Sequence, residues 1–165
     1  MIEVQLSTED LEEAKKLSVS MGTLNNSITS GSGNIAGFLG EIAARRLYGG
    51  TIKHTYQYDL VLPDGQTADV KTKQTSVMPK VYYDCSVADF NPNQQCDLYI
   101  FCRVHYNKKT CWVLGHYDKQ LYIQNARFLK KGQLDGDNGF IVKADCYNMM
   151  ISELEMPDVD RTAAE

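Results

Sequence analysis

Several common classes of protein leave marks in a sequence that this chain lacks. Its five cysteines are an odd number with no Cys-x-x-Cys pair, and its three histidines have no metal-ligand spacing. These absences argue against a zinc knuckle and a disulfide framework, and they favour reduced thiols. No apolar run approaches the roughly 20 residues that cross a membrane, and the amino terminus shows no signal peptide. We therefore expect a cytoplasmic protein with no membrane partner.

A surplus of basic residues is also missing. The chain has 17 Lys and Arg against 21 Asp and Glu, which gives a net charge of −4. Bulk charge therefore does not attract nucleic acid, and any such binding depends on local patches. The 165 residues fit one domain. We predict a single domain over residues 1–154 and a flexible acidic tail over residues 155–165.

Two helices are predicted in the first third of the chain. Ser7 and Asp10 form a variant of the capping box before a helix over residues 8–20. Residues 22–34 are rich in Gly, Ser, Thr and Asn and predict a surface loop, but they lack the Gly-Lys-Ser/Thr ending of a phosphate loop. A second helix is predicted over residues 35–48. Glu41 lies beside its apolar side, where pairing with Arg45 at i,i+4 is the ordinary interpretation.

The rest of the chain favours strands. We predict strands over residues 51–56, 97–105, 110–115 and 140–144, a helix over 117–128, and irregular structure over 75–95. Turns are predicted at 107–109, 130–132 and 135–139, and a last short helix or strand at 145–154. The predicted fold class is α/β (α+β), with a mixed central β-sheet flanked by helices.

The most informative stretch is residues 58–74, which predicts a β-hairpin. Pro63-Asp64-Gly65 suits a three-residue loop with a G1 bulge, because Pro63 presets φ and Gly65 supplies the left-handed residue. If Leu62 pairs with Gln66, counting back along both strands sets Asp59 opposite Asp69.

Two carboxylates directly opposite each other, with Cβ atoms roughly 5 Å apart, repel each other unless a cation lies between them. Asp69 and Lys71 share the face of Asp59, because strand side chains alternate. Oxygen ligands at this density suit Mg²⁺ or Mn²⁺ better than zinc. The alternative is an edge hairpin on which both acids are simply hydrated.

These observations follow one order along the chain. An acid on a helix, Glu41, is followed by an acid at the start of the hairpin, Asp59. The next strand carries the acid-x-Lys triplet Asp69-Val70-Lys71, and the polar residue Gln74 comes shortly after. This order resembles the PD-(D/E)xK nuclease superfamily, whose members share a restriction-endonuclease-like core. The resemblance covers residues 34–74, and Tyr58 stands where the family name has Pro.

The resemblance implies a compact Mg²⁺-dependent DNA endonuclease of phage or repair type, in which Mn²⁺ can substitute and which forms a homodimer if it cuts both strands. The implied metal ligands are Glu41, Asp59, Asp69 and the carbonyl of Val70. The implied catalytic residues are Glu41, Asp59, Asp69, Lys71 and Gln74. Contacts to DNA phosphates are expected from Arg45, Arg46, Lys53 and Lys73.

Two other classes of function stay open from the sequence. A catalytically inactive DNA-binding relative of the same fold is expected to lack a metal ligand or the lysine, and none is missing here. A β-rich module that binds sugar or protein would carry solvent-exposed acids that do not respond to Mg²⁺.

Overall fold

The structure is a computed structural model that describes residues 1–21, 32–53, 55–89, 93–135 and 139–157. Within these residues it is a mixed α and β fold. The elements in chain order are β1 (Ile2–Gln5), α1 (Thr8–Met21), α2 (Ser32–Tyr48), β2 (Thr51–Ile52), β3 (Leu60–Val61), β4 (Thr67–Gln74), β5 (Asp84–Ala88), β6 (Leu98–His105), β7 (Thr110–Asp118), α3 (Lys119–Asn125), β8 (Arg127–Leu129), β9 (Leu134–Asp135), β10 (Phe140–Ile141) and β11 (Cys146–Met150).

A six-stranded mixed sheet organises the fold. Its spatial order is β1-β7-β6-β4-β3-β2, and β4 and β6 are its parallel pair, with Asp69 opposite Tyr99 and Lys71 opposite Phe101. The other neighbours in this sheet are antiparallel. Because side chains alternate along a strand, β4 and β6 each present one set of residues to either face of the sheet.

Both faces of the sheet are covered. One face packs against α1 and α2 in an apolar cluster that includes Leu39, Ile42, Leu60, Val70 and Ile100. The opposite face carries Tyr99, Phe101 and Trp112 into a second cluster, which includes residues of the small antiparallel sheet β5-β11-β8. The residues of β4 that point away from the helices, up to Lys71, therefore face a second protein layer, whereas Lys73 near the end of the strand is exposed. No helix in the described ranges is long and apolar enough to cross a membrane.

The local predictions for the first half of the chain are largely confirmed. Ser7 and Asp10 make the reciprocal capping bonds, in which the Asp10 N–H donates to Ser7 Oγ (3.1 Å) and the Ser7 N–H donates to Asp10 Oδ2 (2.7 Å). The second helix begins at Ser32, three residues earlier than predicted, and ends before Gly49, whose φ of 75° closes it. Residues 22–31 of the predicted loop lie outside the described residues.

The hairpin turn also forms as predicted. The Gly65 N–H donates to the Leu62 carbonyl (2.9 Å), the Leu62 N–H donates to the Gln66 carbonyl (2.8 Å), and Gly65 has a φ of 88°. The preceding strand is shorter than predicted and spans Thr51–Ile52, because Thr55 Oγ1 bonds the backbone of residues 57 and 58 in a local turn that competes with strand pairing.

Several predictions for the second half were wrong. The predicted helix over 117–128 is limited to α3, since β7 runs on to Asp118, which caps α3, and Phe128 lies in β8 opposite Tyr147. The predicted strand at 140–144 is only two residues long. Asp135, expected in a surface turn, is buried in β9 and 3.9 Å from the Arg127 guanidinium.

The start of the predicted tail is part of the fold. Glu155 exchanges two backbone hydrogen bonds with His116 (2.8 and 2.9 Å), so the attached chain extends at least to residue 157. Residues 158–165 lie outside the described residues.

Candidate active site

The candidate site lies at the edge of β4, where its neighbour β3 stops. The ladder between them pairs Leu60 with Ala68 and Val61 with Thr67, as the turn predicts. It does not continue to the predicted Asp59–Asp69 pair, because the Asp59 N–H donates to the Ala68 carbonyl instead (2.9 Å). The Asp59 carboxylate then accepts from the Val70 N–H (2.7 Å). A side chain thus satisfies a β4 donor that a longer β3 would have paired.

Asp69 is the next acid, and it lies on the face of β4 opposite the helices. Its side chain is buried, and its Oδ2 lies 2.5 Å from Nζ of Lys71, two residues further along the same face. Lys71 also donates to Gln94 Oε1 (3.2 Å), and its ammonium lies 5.8 Å from the centre of the Tyr99 ring. The predicted shared face of Asp69 and Lys71 is confirmed, and it points into protein.

Glu41 reaches this edge from α2. The helix lies close to β4 because Gly40 has no side chain: a Cβ there would lie 1.9 Å from Thr72 Oγ1. The next residue, Glu41, is 8% exposed and lies near enough to Asp59 and Asp69 to feel their charge. Arg45, the partner expected from i,i+4 spacing, is partly exposed one turn further along α2, whereas the Glu41 side chain is buried against the sheet.

The electrostatics of the three acids follow from burial and mutual repulsion. Burial first, and then the charges of Asp59 and Asp69, raise the pKa of Glu41 to about 9. Burial and the neighbouring Asp69 raise the pKa of Asp59 to about 7, against the lowering effects of the Val70 N–H and Lys71. The Asp59 and Asp69 carboxyls are close enough to share a proton. The site therefore favours either bound protons or another cation.

The donor set suits a hard divalent cation. Carboxylate oxygens of Glu41, Asp59 and Asp69 are the ligands that Mg²⁺ and Mn²⁺ prefer, and in an extended strand the Val70 carbonyl points to the same edge as its N–H. In the described part of the chain no three acids, histidines or cysteines stand already spaced as a metal-ligand group. The clustered negative charge of the acids, and not a ready coordination geometry, is what makes these residues suitable metal ligands.

Gln74 is not brought to this site. It follows Lys71 by three residues, so it lies on the other face of β4 and roughly 10 Å further along the strand. There it lines a different cavity, with Thr75, His105 and Tyr106 among its neighbours.

The four predicted phosphate contacts are scattered. Arg46 is held by α1 and β1, because it bonds Asp10 Oδ1 (2.5 Å) and the Gln5 carbonyl (3.2 Å). Arg45 is partly exposed near the end of α2, and Lys53 is exposed just after β2. Lys73 lies on the Lys71 face of β4 and donates to Ser86 Oγ (3.1 Å).

Sequence reasoning missed the residues that surround Lys71 from a distance in the chain. Gln94 bonds Lys71 and is itself held by the Tyr56 carbonyl (2.8 Å) and by Lys119, which donates to the Gln94 carbonyl. Tyr99 is fully buried beside Asp69, and its hydroxyl has no hydrogen-bond partner among the described residues. Only the parallel register of β4 and β6 brings Tyr99 to the site, and no local pattern encodes that register.

No protein-family model matches this sequence, and no curated protein matches it.

Proposed function

We propose that this protein is a Mg²⁺-dependent DNA endonuclease with a restriction-endonuclease-like core, acting in the cytoplasm of a bacterium or of a phage-infected host cell. The observation that carries the proposal is the grouping of Asp59, Asp69 and Glu41 at one strand edge, with Lys71 beside Asp69. A solvated acidic face, the alternative interpretation of the hairpin, would leave its acids exposed, whereas Asp69 is 4% and Glu41 8% exposed.

Each residue has a role that its chemistry supports. Glu41, Asp59, Asp69 and the Val70 carbonyl would hold the metal. Bound Mg²⁺ would polarise the scissile phosphate and acidify a water molecule. Lys71, a compact and strongly hydrated cation, would leave Asp69 to orient the attacking water or to stabilise charge on the phosphate.

The surroundings of Lys71 suit that role. Its side chain is only 19% exposed, so its charge acts in a medium of low dielectric constant. Gln94 and the Tyr99 ring hold the ammonium near Asp69 from the other side. An ammonium with three fixed neighbours is pre-positioned, which reduces the reorganisation needed during reaction.

The test is cleavage of supercoiled plasmid, linear duplex and branched DNA with Mg²⁺ and with EDTA. We expect cleavage by the wild type with Mg²⁺, and loss of at least about 10²-fold in rate for both Asp69→Asn and Lys71→Ala. Asp64→Asn is the matched control, because it removes an acid from the exposed turn of the same hairpin. In the wild type, Asp64 Oδ1 accepts from the Gln66 N–H, and the side-chain oxygen of an Asn can accept the same bond.

Three outcomes are informative. Cleavage by the wild type and by Asp64→Asn, but not by Asp69→Asn, supports the proposal. Equal cleavage by the wild type and Asp69→Asn indicates a contaminating nuclease and overturns it. Binding of DNA by a wild-type protein that never cleaves favours the inactive DNA-binding relative.

A further inference from the structure

A small cavity lies next to the candidate metal site, between the large sheet and β5. Its volume is about 120 Å³, and its lining includes Lys71, Lys73, Arg103 and Ser86. That volume holds about four water molecules at the roughly 30 Å³ each that water occupies in the liquid. One tetrahedral oxyanion fits in the same space. Lys71 lines this cavity and also contacts Asp69, so the cavity adjoins the acids.

The charge in the cavity is mainly positive. Lys73 and Arg103 are direct partners in the parallel register of β4 and β6, so two cationic side chains stand side by side. In the described part of the chain, no carboxylate lies within 4.0 Å of either charged group. Desolvation and then the nearby Arg103 lower the pKa of Lys73, against the opposing charge of Asp84.

The groups that could neutralise these cations are otherwise engaged. Asp84 lines the cavity, but its carboxylate accepts twice from Arg127 (2.8 and 3.0 Å), and its backbone carbonyl accepts from Arg103 (2.9 Å). Burial raises the pKa of the Cys85 thiol to about 12, so Cys85 is neutral there. The cavity therefore has two cations and a serine hydroxyl, and the one carboxylate in its lining, Asp84, is bonded to Arg127.

The donors are also fixed in place. Arg103 is anchored by the Asp84 carbonyl and stacks on the Tyr83 ring, with 5.4 Å from the guanidinium carbon to the ring centre. Lys73 is held by Ser86 Oγ at 3.1 Å. An anion that entered would meet pre-organised donors and would lose little affinity to ordering them.

We propose that this cavity binds a backbone phosphate of a nucleic-acid strand, through Lys73, Arg103 and Ser86. The proposal rests on the proposed function, since it takes the substrate to be a phosphodiester chain. Lys71 and Lys73 are two positions apart on one strand, roughly 7 Å, which is similar to the distance between consecutive phosphates of a nucleic-acid strand. A phosphate at the metal site and its neighbour in the cavity would then lie along the same face of β4.

The first test uses inorganic phosphate in EDTA, at constant ionic strength, with chloride as the reference anion. Phosphate should raise the melting temperature of the wild type in a saturable way. Lys73→Gln should lose the response, whereas Lys73→Arg, which keeps the charge, should retain it. Lys16→Gln is the matched control, because Lys16 is an exposed cation on α1, away from the cavity. Equal responses of Lys73→Gln and Lys16→Gln would overturn the proposal.

The second test asks whether the phosphate belongs to a nucleic acid. Binding of a duplex oligonucleotide is measured in EDTA, where no metal-dependent cleavage occurs, over a range of salt concentrations. Lys73→Gln should bind about tenfold more weakly than Lys16→Gln, as expected for loss of one charge-assisted hydrogen bond, and its salt slope should fall by about one. Duplex affinity that is equal in the two variants, with the phosphate response lost, would assign the cavity to free phosphate and overturn the proposal.

These measurements need no catalysis. A protein that shows both effects but never cleaves DNA with Mg²⁺ would refute the nuclease and support the phosphate cavity. A protein that cleaves DNA but shows neither effect would support the nuclease and refute the phosphate cavity.

Discussion

The raised pKa values of Asp59 and Glu41 predict that the metal-free protein loses stability as pH rises. A carboxyl whose pKa is higher in the folded state than in the unfolded state binds extra protons when folded. Its stabilising contribution is complete below the unfolded pKa and is lost as pH rises through the folded pKa. For Asp59 that window runs from 3.8 to about 7, and for Glu41 from 4.5 to about 9.

The magnitude follows from the width of each window. Each pH unit inside it costs about 1.4 kcal/mol, so between pH 5 and pH 7 each carboxyl can lower the free energy of unfolding by up to about 2.7 kcal/mol. Both groups repel Asp69 and each other, so the two effects do not simply add. Cys96, which lies near the same acids, has its pKa raised to about 11 by burial and does not titrate in this range.

Asp59→Asn isolates one of the two groups. Asparagine keeps an oxygen for the Val70 N–H but carries no charge, so this variant should lose up to about 2.7 kcal/mol less than the wild type between pH 5 and pH 7. The assay is urea unfolding at several pH values in EDTA. Asp64→Asn, on the exposed turn, should follow the wild type.

Bound metal should oppose the loss of stability that the wild type shows as pH rises. Mn²⁺ binds ionised carboxylates, so its stabilising effect should grow with pH and reach about 2.7 kcal/mol at a hundredfold excess over the dissociation constant. Asp69→Asn should show little of this gain, because it removes one of the carboxylates that would bind Mn²⁺. Parallel pH curves for the wild type and Asp59→Asn, or identical Mn²⁺ responses for the wild type and Asp69→Asn, would refute the reasoning.

Three further predictions test parts of the fold that support the site. Gly40→Ala should destabilise the protein by about 1–3 kcal/mol in urea unfolding, because the new methyl group would meet Thr72 Oγ1 at 1.9 Å; a change within error would contradict the close helix approach. Ser7→Ala should cost about 1 kcal/mol by removing the bond from the Asp10 N–H, with an unchanged Mn²⁺ response. Gln74→Ala should leave both the Mn²⁺ response and DNA cleavage unchanged, since Gln74 lies on the face of β4 opposite to Asp69 and Lys71. A loss of cleavage would indicate that Gln74 contributes to the site.

The parts of the site that the sequence predicts are those set by local geometry. The Pro63-Asp64-Gly65 turn fixes its own hydrogen bonds, and these fix the Leu60–Ala68 register and the shared face of Asp69 and Lys71. The capping box predicts the start of α1 for the same reason, because its partners are three residues apart. In each case the interacting groups lie within a few residues of one another.

The parts that the sequence does not predict depend on distant segments. The hairpin register by itself sets Asp59 opposite Asp69, yet β3 begins only at Leu60, and the Asp59 carboxylate accepts from the Val70 N–H. The helix predicted over 117–128 has a helical composition, but pairing of Phe128 with Tyr147 draws its end into a strand, where the two rings pack 5.0 Å apart. Tertiary pairing overrides local propensity at both places.

The arrangement of charge along β4 gives a physical reason why the acids and the cations occur on one strand. Asp69, Lys71 and Lys73 follow one another on the same face at two-residue spacing, so the strand carries negative charge at one end and positive charge at the other. Lys71 in the middle neutralises Asp69 in the free protein, at an Nζ–Oδ2 distance of 2.5 Å. A metal ion at the acidic end would compete for Asp69 and release the ammonium, which would then face the same direction as Lys73 and the cavity. Binding of a cation at Asp69 would therefore raise the affinity of the cavity for phosphate. The cation takes over the neutralisation of Asp69, so the positive charge of Lys71 becomes available to the phosphate.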